Sequence, residues 1–224
     1  MKVLILLAGE IADRDALDAA WPGWADGVGL VVAADGGAHH AAHLGVRVDH
    51  WVGDGDSIDP GLLVELEASG VTVDRVRHDK DESDAELAVR AALARGADAI
   101  VLIGALGGPR VDHELANIGL LAMPELAERV ASIVDGAARI RLVSAPDRQG
   151  KPVEVALTGP VGGIVSLLPW GGDVEGVTTH GFDYPLRDEP LLAGPARGLS
   201  NVRGETAARV VVRRGRLLVI ESPC

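Results

Sequence analysis

The chain has 224 residues, 47% of them apolar, and a formal net charge of −12; this length spans between one and two ordinary domains, and the apolar share supplies a buried core. The acidic balance argues against a nucleic-acid surface, because affinity for a phosphate backbone rests on Lys and Arg. No run of about 18 apolar residues is present, so no membrane span is expected.

The opening MKVLILLAGE lacks the length and cleavage site of a signal peptide. Cys224 is the single cysteine, which leaves no internal disulfide and suits a cytoplasmic protein.

Taken in chain order, short apolar runs at 3–8, 30–34, 50–52, 71–76 and 99–103 read as strands. Helical patterns lie between and after them at 14–20, 38–44, 60–69, 84–95 and 112–121. Strands alternating with helices of this length predict βαβ units and a mostly parallel sheet. After about Pro124 the pattern changes to β-like runs at 131–134, 139–143, 153–157, 164–168 and 210–220, punctuated by glycine turns. The last run, with Arg213-Arg214-Gly215-Arg216 in its middle, reads as a closing hairpin. The expected architecture is a mostly parallel α/β domain over residues 1–128, followed by an antiparallel β domain over 129–224.

Four polar clusters each follow a predicted strand: Asp35-Gly36-Gly37, Gly53-Asp54-Gly55-Asp56-Ser57, the run from His78 to Asp84, and GALGGPRVDH at 104–113. In an open α/β sheet the carboxyl ends of parallel strands share one rim, where ligands bind. Clusters distant in sequence are thereby brought together.

Between Asp54 and Glu86 eleven acids face Arg75, Arg77 and Lys80, a local balance of −8. Such a surface takes a polyanion only through bridging divalent cations. Asp54 and Asp56, two residues apart on a glycine-containing turn, can converge on one hard cation. They serve equally well as an acidic surface turn whose carboxylates accept backbone hydrogen bonds.

Ser83-Asp84-Ala85-Glu86 matches a capping box. That leaves Asp79 and Asp81 outside the helix, flanking one of only three lysines, Lys80, where its ammonium can meet a phosphate. The glycine turns at Gly36-Gly37 and Gly104–Gly108 precede helices and either hold phosphate oxygens on backbone N–H groups or simply connect. Arg110 adds a cation, while Asp112 and His113 open the last helix, Asp112 also fitting an N-cap. His39 and His43 are one helical turn apart with no third ligand evident. A Walker A loop is absent, since the only Gly-Lys, Gly150-Lys151, is followed by Pro152. No Gly-x-Gly-x-x-Gly follows the first strand.

With these clusters in hand, the chain resembles the thiamin pyrophosphokinase family. The matching stretches are ADGGA at 34–38, GDGDS at 53–57, DKDESDAE at 79–86, GGPRVDHELANI at 107–118, GVTTHGFDYPL at 176–186 and GLSN at 198–201. The resemblance implies a Rossmann-like α/β domain followed by an antiparallel β-sandwich, transfer of the pyrophosphoryl group of ATP to thiamin, and a homodimer with thiamin at its interface. It implies Mg²⁺ on Asp54, Asp56 and Asp84, with Asp81 a further candidate for the chemistry. ATP contacts are expected from Asp35, Gly36, Gly37, Ser57, Lys80, Ser83, Arg110, Asp112 and His113. Ser200, Asn201 and Tyr184 are expected to face thiamin. The chain departs from the family pattern at His39, His40, Gly55, Ser83, Lys80 and Val202. A Mg²⁺-dependent phosphohydrolase and a non-catalytic sensor of thiamin or nucleotide also fit the residues, although dense carboxylates favour catalysis over simple phosphate binding.

Overall fold

The structure, a computed structural model, describes residues 1–223; Cys224 lies outside the described residues. The chain divides into two compact units, Met1–Gly136 and Ala137–Cys224.

In the first unit, β1 (Lys2–Leu6), β2 (Val28–Ala34), β3 (His50–Gly53), β4 (Thr72–Arg75), β5 (Ala99–Ile103) and β6 (Val130–Val134) lie in the order β6-β5-β1-β2-β3-β4. Every neighbouring pair is parallel. The crossovers carry α1 (Arg14–Ala20), a 3₁₀ turn at Asp35–His39 running into α2 (His40–His43), α3 (Pro60–Ala68), α4 (Asp84–Ala94) and α5 (Val111–Leu120). Strands covered on both faces must be apolar throughout, and Val3, Leu4, Ile5 and Leu6 of β1 are fully buried.

The helix starts follow from local chemistry. Asp13 caps α1 through the Ala16 N–H, and Asp59 caps α3 with Pro60 behind it. Ser83 caps α4 by accepting from the Glu86 N–H at 3.1 Å. The capping box is half made, because the Glu86 carboxylate pairs with Arg90 one turn on, at 2.7 Å. At α5 the N-cap is Arg110, with no side-chain cap bond, so Asp112 lies inside the helix.

Three tryptophans, Trp21, Trp24 and Trp51, fill the core against Leu4, Leu6, Leu17 and Ile103. Each indole N–H finds an acceptor, as a buried donor must: Asp135 O, Asp18 Oδ1 and Asp35 O respectively. The last of these ties the core to the turn after β2.

The chain steps outward from β1 through β2, β3 and β4, then returns by α4 to place β5 on the far side of β1. The sheet therefore switches direction between β1 and β5, where a crevice opens at the carboxyl ends.

In the second unit, β7 (Arg139–Ala145), β9 (Ile164–Pro169), β12 (Asn201–Val202) and β14 (Gly215–Ser222) lie in the order β12-β9-β14-β7. The other sheet is β11-β10-β13-β8, made of β8 (Val153–Ala156), β10 (Val174–His180), β11 (Glu189–Leu191) and β13 (Arg209–Val212). All pairings in the unit are antiparallel. Both sheets contribute to one apolar core, including Val165, Leu167, Val177, Val210, Val212, Leu217 and Val219, which makes the unit a sandwich.

Two sequence expectations change. The run at 130–134 pairs in parallel with β5; it belongs to the first unit, whose limit is Gly136 where residue 128 was expected. Periodicity cannot tell a sixth buried parallel strand from a sandwich strand. The expected terminal hairpin does not form. β13 pairs with β10 and β8, while β14 pairs with β7 and β9, so the chain changes sheets at Arg213-Arg214. Gly215 sits at φ +108 in this corner, with a Cβ position 2.9 Å from Asp173 O, which is why glycine is found there.

Candidate active site

A cleft of about 770 Å³ lies where the chain leaves β1, β2, β3, β4 and β5. It is lined by Asp35, Gly36, Asp54, Asp56, Ser57, Lys80, Asp81, Ser83, Asp84, Arg110, Asp112 and His113, among others. The four polar clusters thus converge on one site, as the parallel topology requires. Gly37 stands behind the lining. A Cβ there would come 2.2 Å from Leu6 O, so only glycine lets the turn after β2 press against β1.

Asp35 is the most constrained residue of the site. It sits at φ +40, a conformation that carries strain outside glycine, and is only 3% exposed. Gly53 opposite makes room, since a Cβ there would lie 2.8 Å from the Asp35 Cβ. The Ser57 N–H donates to Asp35 Oδ2 at 3.3 Å, whereas Oδ1 is buried with no hydrogen-bond partner. Burial, reinforced by the nearby charges of Asp84 and Asp56, pushes this carboxyl up to about 6.

Asp54 shows the opposite balance. Burial raises its proton affinity, but hydrogen bonds from His78, the Asp56 N–H and Lys80 outweigh it and hold the carboxyl at about 2. His78 Nδ1 lies 2.8 Å from Asp54 Oδ2, and this contact raises the imidazole above its ordinary value. Lys80 Nζ lies 3.3 Å from Asp54 Oδ2 and 2.9 Å from Asp84 Oδ1. Ser57 Oγ donates to Asp56 Oδ1 at 2.7 Å.

Two groups of side chains bring one ligand atom each within 4.8 Å of one another: Asp35, Asp54 and Asp84, and Asp54, Asp56 and His78. The first set fits a hard divalent cation. It is all carboxylate oxygen, and its Asp35 carries a buried oxygen, Oδ1, with no hydrogen-bond partner.

Several residues in and around the cleft have partners of their own. Arg110 and Asp112 form a two-point ion pair at the mouth, 2.9 and 2.6 Å, which holds Asp112 well below the usual carboxylate range. Asp79 pairs with Arg77 and does not line the cleft. His39 and His43 form no metal pair: His39 donates from Nδ1 to Gly36 O at 2.7 Å, and its Nε2 accepts from the Asp59 N–H at 3.2 Å. His39 thereby pins the turn after β2 to the start of α3. His40 Nε2 donates to Gly9 O.

His78 and Asn117, to which no role was assigned, also line the cleft. The signal for His78 was its place in the polar run ending at Asp84, and for Asn117 the matching stretch at 107–118. Asn117 Nδ2 donates to Ala105 O at 2.9 Å and so clamps the backbone.

Tyr184, Ser200 and Asn201 belong to the second unit. The Asn201 amide holds the Tyr184 backbone at both ends: Oδ1 accepts its N–H at 3.2 Å and Nδ2 donates to its carbonyl at 2.7 Å. Ser200 lies at φ +56 and its N–H donates to Ser166 Oγ at 3.1 Å. Tyr184 is 71% exposed.

Comparison with known proteins identifies the family. The family model for the thiamin pyrophosphokinase catalytic domain matches residues 24–134, and that for the thiamin pyrophosphokinase vitamin B1 binding domain matches residues 153–217. A thiamine pyrophosphokinase of Bacillus subtilis is 26% identical over 200 residues, covering 89% of this chain and 90% of that protein. Among solved structures, a thiamin pyrophosphokinase from Geobacillus thermodenitrificans is 26% identical with a TM-score of 0.79, covering all of this chain and 98% of that one. The crystal structure of a Bacillus subtilis thiamine pyrophosphokinase superposes with a TM-score of 0.83 at 24% identity, with both chains fully covered. The chain belongs to the thiamin pyrophosphokinase family, whose reaction transfers the pyrophosphoryl group of ATP to thiamin.

Proposed function

We propose that the cleft at the carboxyl ends of β1–β5 is where this chain carries out that transfer, with Mg²⁺ as the metal. The observation that carries the reading is the meeting of Asp35, Asp54 and Asp84 within 4.8 Å, with an orphaned buried oxygen among them. Asp54, Asp56 and Asp84 are the proposed ligands, with Asp35 completing the charge. When bound, the cation supplies neutralisation of the phosphate oxygens and of the charge that develops on them.

The protein's own part is positioning, which dominates in phosphoryl-type transfers. Gly36 and Gly37 shape the turn, and the exposed Ser57 and Ser83 offer hydroxyls on the lining. Lys80, Arg110 and His113 face the cleft as cations or donors toward the polyphosphate, with Arg110 held in place by Asp112. The thiamin hydroxyl attacks the β-phosphorus and AMP departs. Asp54 is a poor acceptor for the hydroxyl proton, because its partners hold it at about 2 and a weakly basic group takes protons badly near neutrality. Asp81 and Asp84 are the carboxylates left for that task.

We further assign thiamin contact to Tyr184 and Ser200 in the second unit, with Asn201 fixing the Tyr184 backbone, and a homodimer with thiamin at the interface between copies. The exposed Val111 and Leu115 on α5, and Leu199 beside Ser200, support an interface between copies. No helix of the described residues is long and apolar enough to cross a membrane, and a cytoplasmic enzyme is the reading we adopt.

Asp56→Asn is expected to lower turnover at least about a hundredfold at saturating Mg²⁺, because a shifted metal spoils alignment. Steady-state assays across a Mg²⁺ titration check this. Near-normal turnover would remove Asp56 from the metal site.

A further inference from the structure

Lys80 stands out among the cations of the cleft. Arg110 is tied to Asp112 at the mouth, while the Lys80 side chain is only 14% exposed and its ammonium rests between Asp54 and Asp84, at 3.3 and 2.9 Å. These are two of the three carboxylates whose oxygens gather within 4.8 Å. The ammonium thus rests on oxygens that a divalent cation would also need.

A divalent cation such as Mg²⁺ must approach carboxylate oxygens to about 2.0–2.1 Å. An ammonium bound to the same oxygens and a divalent cation repel each other at that range. Lys80 has a four-carbon stem that lets its head move while its backbone stays in place. The incoming polyphosphate is the anion that can draw it away. His78 shares Asp54 Oδ2 at 2.8 Å, but its side chain is 83% exposed and it does not reach Asp84 in the described contacts.

We propose that Lys80 is a resident competitor for the metal: it covers Asp54 and Asp84 until nucleotide phosphates take its ammonium, so that metal and nucleotide bind cooperatively. This rests on the reading of Asp54 and Asp84 as metal carboxylates. Removing the ammonium exposes the carboxylates at the start and removes one partner of the phosphates. Metal alone then binds more tightly, and the gain that nucleotide brings to metal binding shrinks. Coupling of this kind is reciprocal and commonly amounts to about 5–150-fold.

The test uses the full chain and Mn²⁺, followed by the loss of the free-ion electron paramagnetic resonance signal. It is run with and without α,β-methylene-ATP, whose bridging carbon resists this cleavage. Wild type is expected to bind Mn²⁺ weakly alone and at least about fivefold more tightly with the analogue. Lys80→Gln is expected to bind Mn²⁺ alone about fivefold more tightly than wild type, with a smaller gain from the analogue. Arg77→Gln removes the same charge from an exposed side chain paired with Asp79 and is expected to change Mn²⁺ affinity less than about twofold, because exposed charges are screened. Should Lys80→Gln fail to fold, Lys80→Met serves in its place. The proposal is overturned if the Lys80 variant binds Mn²⁺ no more tightly than wild type, or if Arg77→Gln tightens binding equally. If neither wild type nor variant binds Mn²⁺ with or without analogue, the metal reading itself falls, and the proposal with it.

Discussion

Asp54→Asn is expected to lower turnover by about a thousandfold, the upper range for removing one preorganised electrostatic group. Asp54 is the residue common to both possible metal groupings, and its side chain is only 9% exposed. It accepts from His78, Lys80 and the Asp56 N–H, so it fixes three neighbours as well as carrying charge. An amide keeps the shape but loses the charge, and it turns donor hydrogens toward cations. Turnover should therefore fall together with metal affinity, while the melting temperature stays near that of wild type. Steady-state kinetics with a Mg²⁺ titration measure the first two, and thermal unfolding the third. Asp79→Asn is the matched control, because Asp79 pairs with Arg77 outside the cleft, and it should keep near-normal turnover. Loss within about tenfold for Asp54→Asn would show that the other carboxylates suffice without it.

In the second unit the largest expected effect is on stability. Glu221 on β14 is 1% exposed and receives three donors: Arg141 Nη2 at 2.7 Å, the Thr158 N–H at 3.0 Å and the Gly159 N–H at 2.8 Å. One buried carboxylate thus joins β14, β7 and the turn after β8. Burial already pulls Arg141 below its ordinary proton affinity, and Glu221 is the charge that opposes this. Glu221→Ala leaves a largely buried guanidinium and two amide groups without their partner. Removing one member of a buried ion pair costs about 3–5 kcal/mol. Chemical unfolding of wild type and variant should show a loss of this size. A loss under about 1 kcal/mol would mean that water reaches the cluster and satisfies it.

Most of the first unit was legible in the sequence, because strands buried on both faces must be apolar and helix starts carry their own chemistry. The pattern at 14–20 predicted α1, and Ser83 marked the start of α4. Convergence of the acidic clusters also followed from parallel topology alone. What escaped was tertiary. The Val130–Val134 strand has the composition of either unit, and only its partner β5 decides. Arg213 to Arg216 has the residues of a hairpin turn, yet the corner at Gly215 sends β14 into the other sheet. The Asn201 amide clasps the Tyr184 backbone, a pairing across 17 residues that no local pattern announces. The role of Lys80 against Asp54 and Asp84 likewise depends on a distance between β3 and the loop before α4.

AMP release reads out whether this cleft performs metal-dependent pyrophosphoryl transfer to thiamin. ATP and Mg²⁺ are incubated with the enzyme, with and without thiamin, and the products are resolved by chromatography. AMP and thiamin pyrophosphate are expected in equal amounts, only when thiamin and Mg²⁺ are both present. ATP consumption that ignores thiamin, or thiamin binding without turnover, would overturn this function.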